Sequence, residues 1–121
     1  MSARIATLHE LLARAPKALL HDHLDGGLRP ETVIDLAREY GYKNLPTTDV
    51  DDLKKWFHRG AKRNDLVLYL ETFAHTVGVM QHRDAIERVA FECAQDGVDG
   101  QIGSCRATAE TFQDRTDHLI E

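Results

Sequence analysis

Hydrophobic positions recur at helical spacing along most of the chain. The first such stretch covers residues 5–14, where Ile5, Leu8 and Leu12 share one side before Pro16. It predicts a short amphipathic helix. Four later stretches have apolar faces formed by Val33, Leu36, Ala37 and Tyr40; by Val50, Leu53 and Phe57; by Leu66, Tyr69, Leu70, Phe73 and Val77; and by Ile86, Val89, Ala90 and Cys93. The pattern therefore predicts a mostly helical chain.

Residues that start or stop helices mark the boundaries between these stretches. Pro30 suits the first position of a helix, and Gly41 suits its end. Thr48 and Asp51 have the spacing of an acidic variant of the capping box, which predicts a helix that begins just after Thr48. Gly78 predicts a break before the last helical stretch.

One short stretch departs from the helical period. Residues 18–24 are apolar apart from a His-Asp-His segment and precede the turn signal Gly26-Gly27, which predicts a short buried strand. Side chains alternate along a strand, so His21, His23 and Asp25 are expected on one face. Two imidazoles at this spacing can converge on one cation, and imidazole is a common zinc ligand. A strand histidine is also often a hydrogen-bonded structural group, and the pattern alone leaves both interpretations open.

Composition argues against several classes of function. The chain has 121 residues, of which 42% are hydrophobic and 29% charged, as in an ordinary globular protein. A net charge of −5 without a Lys/Arg cluster argues against nucleic-acid and anionic-membrane partners. No stretch approaches the roughly 20 apolar residues of a membrane span, and the N-terminus does not resemble a signal peptide. The two cysteines make no disulfide framework, so we predict a cytoplasmic protein.

The last part of the chain, residues 97–121, differs in character from the rest. It holds scattered glycines, few large apolar residues and no sustained helix or strand period. We therefore predict two regions, a folded unit formed by residues 1–96 and a divergent, weakly structured tail. No strand is expected in this tail.

The stretch PKALLHDHLDGGLRPET, residues 16–32, closely resembles the N-terminal signature of the adenosine deaminase family. The later runs YLETFAHTVGVMQ and AIERVAFECAQD resemble the helices that follow in bacterial members, so the resemblance covers about residues 5–96. The family fold is a (β/α)₈ TIM barrel of the amidohydrolase superfamily. The resemblance implies an α/β chain that forms the N-terminal part of such a barrel, mostly helical as a fragment and with the barrel incomplete.

This resemblance also implies an activity, the zinc-dependent hydrolytic deamination of adenosine and deoxyadenosine to inosine and ammonia in purine metabolism. On the matching positions, His21 and His23 would be ligands of a single Zn²⁺. Asp25 would contact the ribose 5′-hydroxyl of the purine nucleoside, and His23 would face the same substrate. Related adenine deaminases carry Glu in place of that Asp, so HLDG favours a nucleoside over a free base. Trp56 or Phe57 could cover the pocket, and ordinary helix packing explains these aromatics equally well.

The sequence also departs from the family pattern. The other zinc ligands and the acid–base groups of the family belong to later motifs that are missing here, so no catalytic residue is identifiable. Where the second barrel strand is expected the chain reads GVDGQIGSCRATAETFQ, which resembles a shifted or cut reading frame. We therefore expect an N-terminal portion of an adenosine deaminase that is inactive alone, with an open sheet edge that permits self-association.

Two alternatives remain at this point. The chain could be a non-catalytic remnant or small helical binding module that retains the His-x-His signature. It could also belong to another metal-dependent hydrolase with a His-x-His first strand, which the surrounding LDGGLRPET disfavours.

Overall fold

The structure is a computed structural model that describes residues 7–62, 65–100 and 102–108. Its elements in chain order are α1 (Leu8–Arg14), β1 (Lys17–His23), a 3₁₀ turn (Leu24–Gly26), α2 (Pro30–Glu39), α3 (Val50–Ala61), α4 (Leu66–Val79), α5 (Arg83–Asp99) and β2 (Ile102–Thr108). The described part is thus mostly helical, as the hydrophobic pattern predicts. No helix within it is long and apolar enough to cross a membrane.

The strands β1 and β2 pair in parallel, with Leu19 opposite Cys105 and His23 opposite Thr108. Parallel neighbours need a crossover connection, and here α2 to α5 provide it. Within the described ranges the sheet has two strands and does not close into a barrel. This α/β arrangement is consistent with the opening part of a (β/α)₈ barrel.

The strand β2 corrects one expectation from the sequence. No strand was expected after Asp96, yet α5 continues to Asp99 and β2 follows it within the predicted tail. Pairing with β1 supplies backbone hydrogen bonds that do not depend on an apolar alternation, so the sequence pattern gives no sign of them. Residues 109–121 lie outside the described ranges, and the division of the chain at residue 96 stays a prediction.

Most helix boundaries follow the expected chemistry. Pro30 is the first residue of α2, and Gly41 after that helix has a φ of 71°, a conformation that glycine adopts at low cost. The N-cap of α3 is Asp49, whose side chain accepts from the Asp52 amide, so the predicted Thr48 cap was wrong by one position. Gly78 is the penultimate residue of α4, which ends at Val79 before α5 begins at Arg83, so the predicted break is confirmed to within one residue.

The core lies between α2, α3, α5 and the end of α4. Its buried apolar residues are Val33, Ile34, Leu36, Ala37, Leu53, Val79, Met80, Ala85 and Val89. The predicted inward faces of α2 and α3 are confirmed at Val33, Leu36 and Leu53. By contrast, Leu66 and Leu70 of α4 are 70% and 53% exposed, so that part of the predicted apolar stripe does not pack into the core.

Candidate metal and nucleoside site

Strand β1 places His21 and His23 on the same face, as the alternation of side chains predicts. Their Nε2 atoms are 3.0 Å apart, and the rings meet edge to face with centroids 4.9 Å apart. One nitrogen can donate a hydrogen bond to the other if the two rings adopt different tautomers. The same arrangement presents two nitrogen ligands to one cation.

The separation of the two nitrogens tests whether they fit a metal ion. Zinc binds imidazole nitrogen at about 2.0–2.1 Å in tetrahedral geometry, which places two such ligands about 3.3 Å apart. The observed 3.0 Å between His21 and His23 is close to this value, so the pair fits two positions of a zinc site. The described residues contain no group of three or more His, Cys, Asp or Glu that could hold a metal. A catalytic zinc site usually has three protein ligands.

Asp25 does not lie on the strand, contrary to the prediction. The strand ends at His23 and the backbone turns, with the Gly27 amide donating to the Leu24 carbonyl at 3.2 Å. Asp25 thereby enters the 3₁₀ turn, yet its Oδ1 remains 3.8 Å from His23 Nδ1. His23 thus stands between His21 and Asp25, with one ring nitrogen directed towards each.

The Asp25 side chain is buried, and one of its oxygens, Oδ1, lacks a hydrogen-bond partner among the described residues. The residue is 5% exposed. Burying an oxygen without a hydrogen bond costs free energy, and native structures rarely leave one unpaired. Asp25 therefore marks a position where a ligand hydroxyl or another donor would be stabilised.

Asp25 lines a pocket of about 190 Å³. The other lining residues are Gly26, Leu28, Pro30, Lys54, Phe57, Ala61, Tyr69, Thr72, Phe73 and Thr76. A pocket of this mixture, apolar walls with few polar groups, suits a small organic ligand. Its volume is below the roughly 300 Å³ typical of ligand sites, so it would enclose only part of a nucleoside.

The two aromatics expected over the pocket have different surroundings. Phe57 lines the pocket and also packs against the core, so both interpretations apply to it. Trp56 meets Phe57 and His75 edge to face, with centroids 5.4 and 5.2 Å away, which favours ordinary packing for Trp56.

Several pocket residues were not predicted as site residues. Tyr69 and Phe73 carried an aromatic signal, but helical spacing assigned them to a core-facing stripe. Lys54 and Thr72 also line the pocket, and nothing in the sequence distinguishes them from other residues of an amphipathic helix. These residues were missed for one reason. The pocket wall is formed by two helices together, and the hydrophobic period of one helix does not show which residues face the other.

Next to the pocket wall, Tyr42 links the loop after α2 to α4. Its hydroxyl lies 3.0 Å from His75 Nδ1. Burial lowers the pKa of His75 below its ordinary value and raises the pKa of Tyr42. Both groups are therefore held in their neutral forms, in which they can share a hydrogen bond.

Comparison with known proteins supports the family resemblance. Residues 16–104 match the adenosine deaminase family, which reaches past the residue 96 expected from the sequence. An adenosine deaminase of Mycolicibacterium gilvum is 59% identical over 93 residues, which are 77% of this chain and 26% of that protein. An adenosine deaminase of Mycobacterium sp. (strain KMS) is 62% identical over 87 residues, covering 72% of this chain and 24% of that protein.

Adenosine deaminase 1 of Streptomyces coelicolor is 65% identical over 85 residues, covering 70% of this chain and 22% of that protein. The chain thus spans about a quarter of the length of the curated relatives it matches. The family match covers well over half of the chain and includes the whole stretch that forms β1, the turn and α2. The chain belongs to the adenosine deaminase family.

Proposed function

We propose that this chain contributes the first-strand part of a zinc-dependent adenosine deaminase site. The reaction is the hydrolysis of a cyclic amidine C–N bond, which converts adenosine or deoxyadenosine to inosine and ammonia in the purine metabolism of the cytoplasm. The observation that carries the proposal is the convergence of His21 and His23 to 3.0 Å beside the buried Asp25. The matched relatives are adenosine deaminases, which supports the same reaction.

Each residue has a distinct role in this proposal. His21 and His23 would hold one Zn²⁺, since their Nε2 atoms lie 3.0 Å apart. Zinc lowers the pKa of bound water from 15.7 to about 7 and so supplies a nucleophile at neutral pH. Asp25 accepts a hydrogen bond from the ribose 5′-hydroxyl, since its buried Oδ1 lacks a partner among the described residues. His23 lies between His21 and Asp25 and would also face the nucleoside, and Phe57 and Phe73 of the pocket wall would exclude water from its apolar side.

The chain by itself is expected to leave adenosine unchanged. Among the residues whose side chains the structure describes, no third metal ligand accompanies the histidine pair. Nor do we assign a group that protonates the purine ring. General acid–base groups typically contribute about 10²- to 10⁴-fold in rate. Turnover should therefore need the later strands of a complete barrel.

The second candidate function is a non-catalytic binding module. It is favoured by the presence of two metal ligands, His21 and His23, where a catalytic zinc site usually has three. Both candidates predict no turnover by the chain alone, so zinc and nucleoside binding must be measured directly. Isothermal titration of the purified chain with zinc should detect weak binding. His21→Ala and His23→Ala should each reduce that affinity more than about tenfold, since each removes half of the available ligands.

A matched control is available on α3. His58→Ala removes an exposed histidine outside the site and should leave zinc affinity unchanged. Adenosine affinity measured with zinc present should fall in Asp25→Ala. Zinc binding that survives both His21→Ala and His23→Ala would refute the proposed metal role. Zinc binding without any nucleoside binding would favour the binding-module alternative.

A complementation experiment tests the reaction itself. The chain is mixed with a segment of the Streptomyces coelicolor relative that begins after the matched region, and conversion of adenosine to inosine is followed by ultraviolet absorbance. Activity that requires both pieces and is lost in His21→Ala would establish the catalytic contribution of this chain. If the two pieces form a complex and the mixture is still inactive, the result would favour the alternative that this chain is a non-catalytic remnant.

A further inference from the structure

Helices α2 and α5 meet along a row of three polar contacts, which we call the polar ladder. Its contacts are Arg29–Asp96, Thr32–Glu92 and Asp35–Arg88. The positions advance by three along α2 and recede by four along α5. Residues at these spacings lie on one face of a helix, so the ladder joins two antiparallel faces.

The middle and far contacts of the ladder share one arginine. Thr32 donates to Glu92 at 2.6 Å, and Arg88 donates to Asp35 and Glu92, each at 3.0 Å. Thr32 is buried, whereas the Arg88 and Asp35 side chains are 38% and 49% exposed. This part of the ladder fixes the middle of α2 on α5.

The Arg29 end of the ladder has a different location. Arg29 is the N-cap residue of α2 and follows closely on the turn that carries Asp25. Its Nε and Nη2 donate to the two Asp96 oxygens at 3.2 and 2.5 Å, and Nη2 also donates to Gln95 at 3.1 Å. A bidentate arginine–carboxylate pair fixes orientation as well as distance. Asp96 thereby anchors the end of the turn segment.

Leu24 and Leu28 of that segment pack against the core, and Gly27 between them is its least restrained residue. Gly27 has open space where a Cβ would be, and its amide makes the hydrogen bond to Leu24 that closes the turn. Glycine also has the largest conformational freedom of any residue. Leu28 and Pro30, on either side of Arg29, line the same pocket as Asp25. Movement of Arg29 would therefore displace both the pocket wall and the turn.

We propose that Arg29 is a positioning residue, which binds Asp96 and thereby holds the turn so that the Asp25 carboxylate faces the nucleoside pocket. The role of Asp25 as the nucleoside contact rests on the proposed function above. The restraint on the turn itself does not, and it can be measured without any ligand.

The ladder provides a matched pair of substitutions. Asp96→Asn and Asp35→Asn make the same chemical change at side chains that are 51% and 49% exposed. Each removes one arginine–carboxylate pair between the same two helices. Of the two carboxylates, Asp96 contacts Arg29 beside the turn, whereas Asp35 lies six residues further along α2, about 9 Å at the helical rise. A purely structural role predicts equal effects of the two changes.

The first measurement is the backbone order parameter of Gly27 from nitrogen-15 relaxation of the full chain. We expect it to fall from the rigid range, about 0.85, to below about 0.6 in Asp96→Asn and in Arg29→Met. Asp35→Asn should leave it unchanged. The charge-reversed double variant Arg29→Asp with Asp96→Arg should restore much of the rigidity.

The second measurement is adenosine affinity with zinc present. Asp96→Asn should weaken binding about threefold, the scale expected for one exposed ion pair, while Asp35→Asn should leave it within error. If Asp96→Asn does not fold, Arg29→Lys, which keeps the charge but loses the bidentate geometry, should raise Gly27 mobility.

The outcomes separate the two proposals. A Gly27 that stays rigid in Asp96→Asn, or that loosens equally in Asp35→Asn, would overturn the positioning role. If the wild-type chain binds no adenosine while Gly27 loosens only in the Arg29 and Asp96 variants, the proposed nucleoside contact fails and the positioning of the turn stands.

Discussion

The helical core and the strand β1 differ sharply in how the chain packs them. Val33, Leu53 and Met80 are fully buried, whereas Leu20 at the centre of β1 is 83% exposed and Leu8 of α1 is 71% exposed. A side chain buried from water contributes about 1.5–3 kcal/mol relative to an exposed one. The folding free energy of the described residues therefore resides mainly in α2 to α5.

The candidate chemistry lies on the less covered side of this division. His21 and His23 are both exposed on β1, while the buried Asp25 sits in the turn where β1 passes into the helical core. A metal site on an exposed strand lacks the surrounding groups that orient its ligands and exclude water. The difference between the two regions thus explains how the chain can carry the ligand pair and yet be expected to lack turnover.

The largest expected effect is a difference in the free energy of unfolding when the same truncation, Leu→Ala, is made in each of the two regions. Leu53→Ala removes a fully buried side chain from the helical core and should lower the free energy of unfolding by about 2–5 kcal/mol. Leu20→Ala removes the same atoms from an exposed strand position and should change it by less than about 0.5 kcal/mol. Urea denaturation followed by circular dichroism measures both values.

Equal losses in the two variants would contradict the comparison. Such a result would mean that β1 is covered in solution, for instance by a second copy of the chain. Sedimentation of the wild-type chain and of Leu20→Ala at several concentrations would then detect that copy.

The sequence allowed two features to be predicted for clear physical reasons. Alternation along a strand placed His21 and His23 together, because a period of two needs no knowledge of the neighbours. Helical spacing identified Leu36 and Leu53 as buried, because each helix presents one apolar face. Both predictions depend on residues close together in the chain.

Other features depend on contacts between distant residues and were not predictable. Asp25 left the predicted strand face because the backbone turns directly after His23. Asp96 contacts Arg29 across 67 positions, and helical periodicity contains no information on such a pair. The strand β2 is likewise stabilised by its partner β1 and not by a pattern of its own.

The second prediction concerns the boundary between the two regions. Asp25→Asn replaces a buried carboxylate whose Oδ1 has no hydrogen-bond partner among the described residues. Because a neutral amide costs less to bury than a carboxylate, this variant should be more stable than wild type by about 1 kcal/mol. Asp35→Asn instead breaks the pair with Arg88 and should lower stability by less than about 1 kcal/mol.

Thermal unfolding at neutral pH tests this prediction, because Asp25→Asn should raise the stability and Asp35→Asn should lower it. Stabilisation at a position that contacts ligand is typical of sites where function opposes stability. If both variants lose stability, Asp25 has a partner that the described contacts do not include, and its proposed role as an unpaired acceptor is wrong.

The smallest expected effect is a dependence of the helical core on pH through His75. Burial lowers the pKa of His75, and its Nδ1 lies 3.0 Å from the Tyr42 hydroxyl. In the unfolded chain the pKa returns to about 6.5, so the unfolded state binds more protons just below that value. The contribution of His75 is therefore fully present above about pH 6.5 and is lost as the pH falls towards the folded pKa.

We expect the wild-type chain to lose less than about 1 kcal/mol of stability through His75 between about pH 7.5 and about pH 5.5, because solvent partly screens this half-buried side chain. His75→Gln cannot titrate and should show a smaller loss over that range, whereas the exposed-site control His58→Gln should match wild type. Trp56 is the single tryptophan of the sequence and lies 5.2 Å from His75 between ring centroids, so its fluorescence should follow the same titration. A pH dependence that is identical in wild type and His75→Gln would show that His75 does not contribute to it.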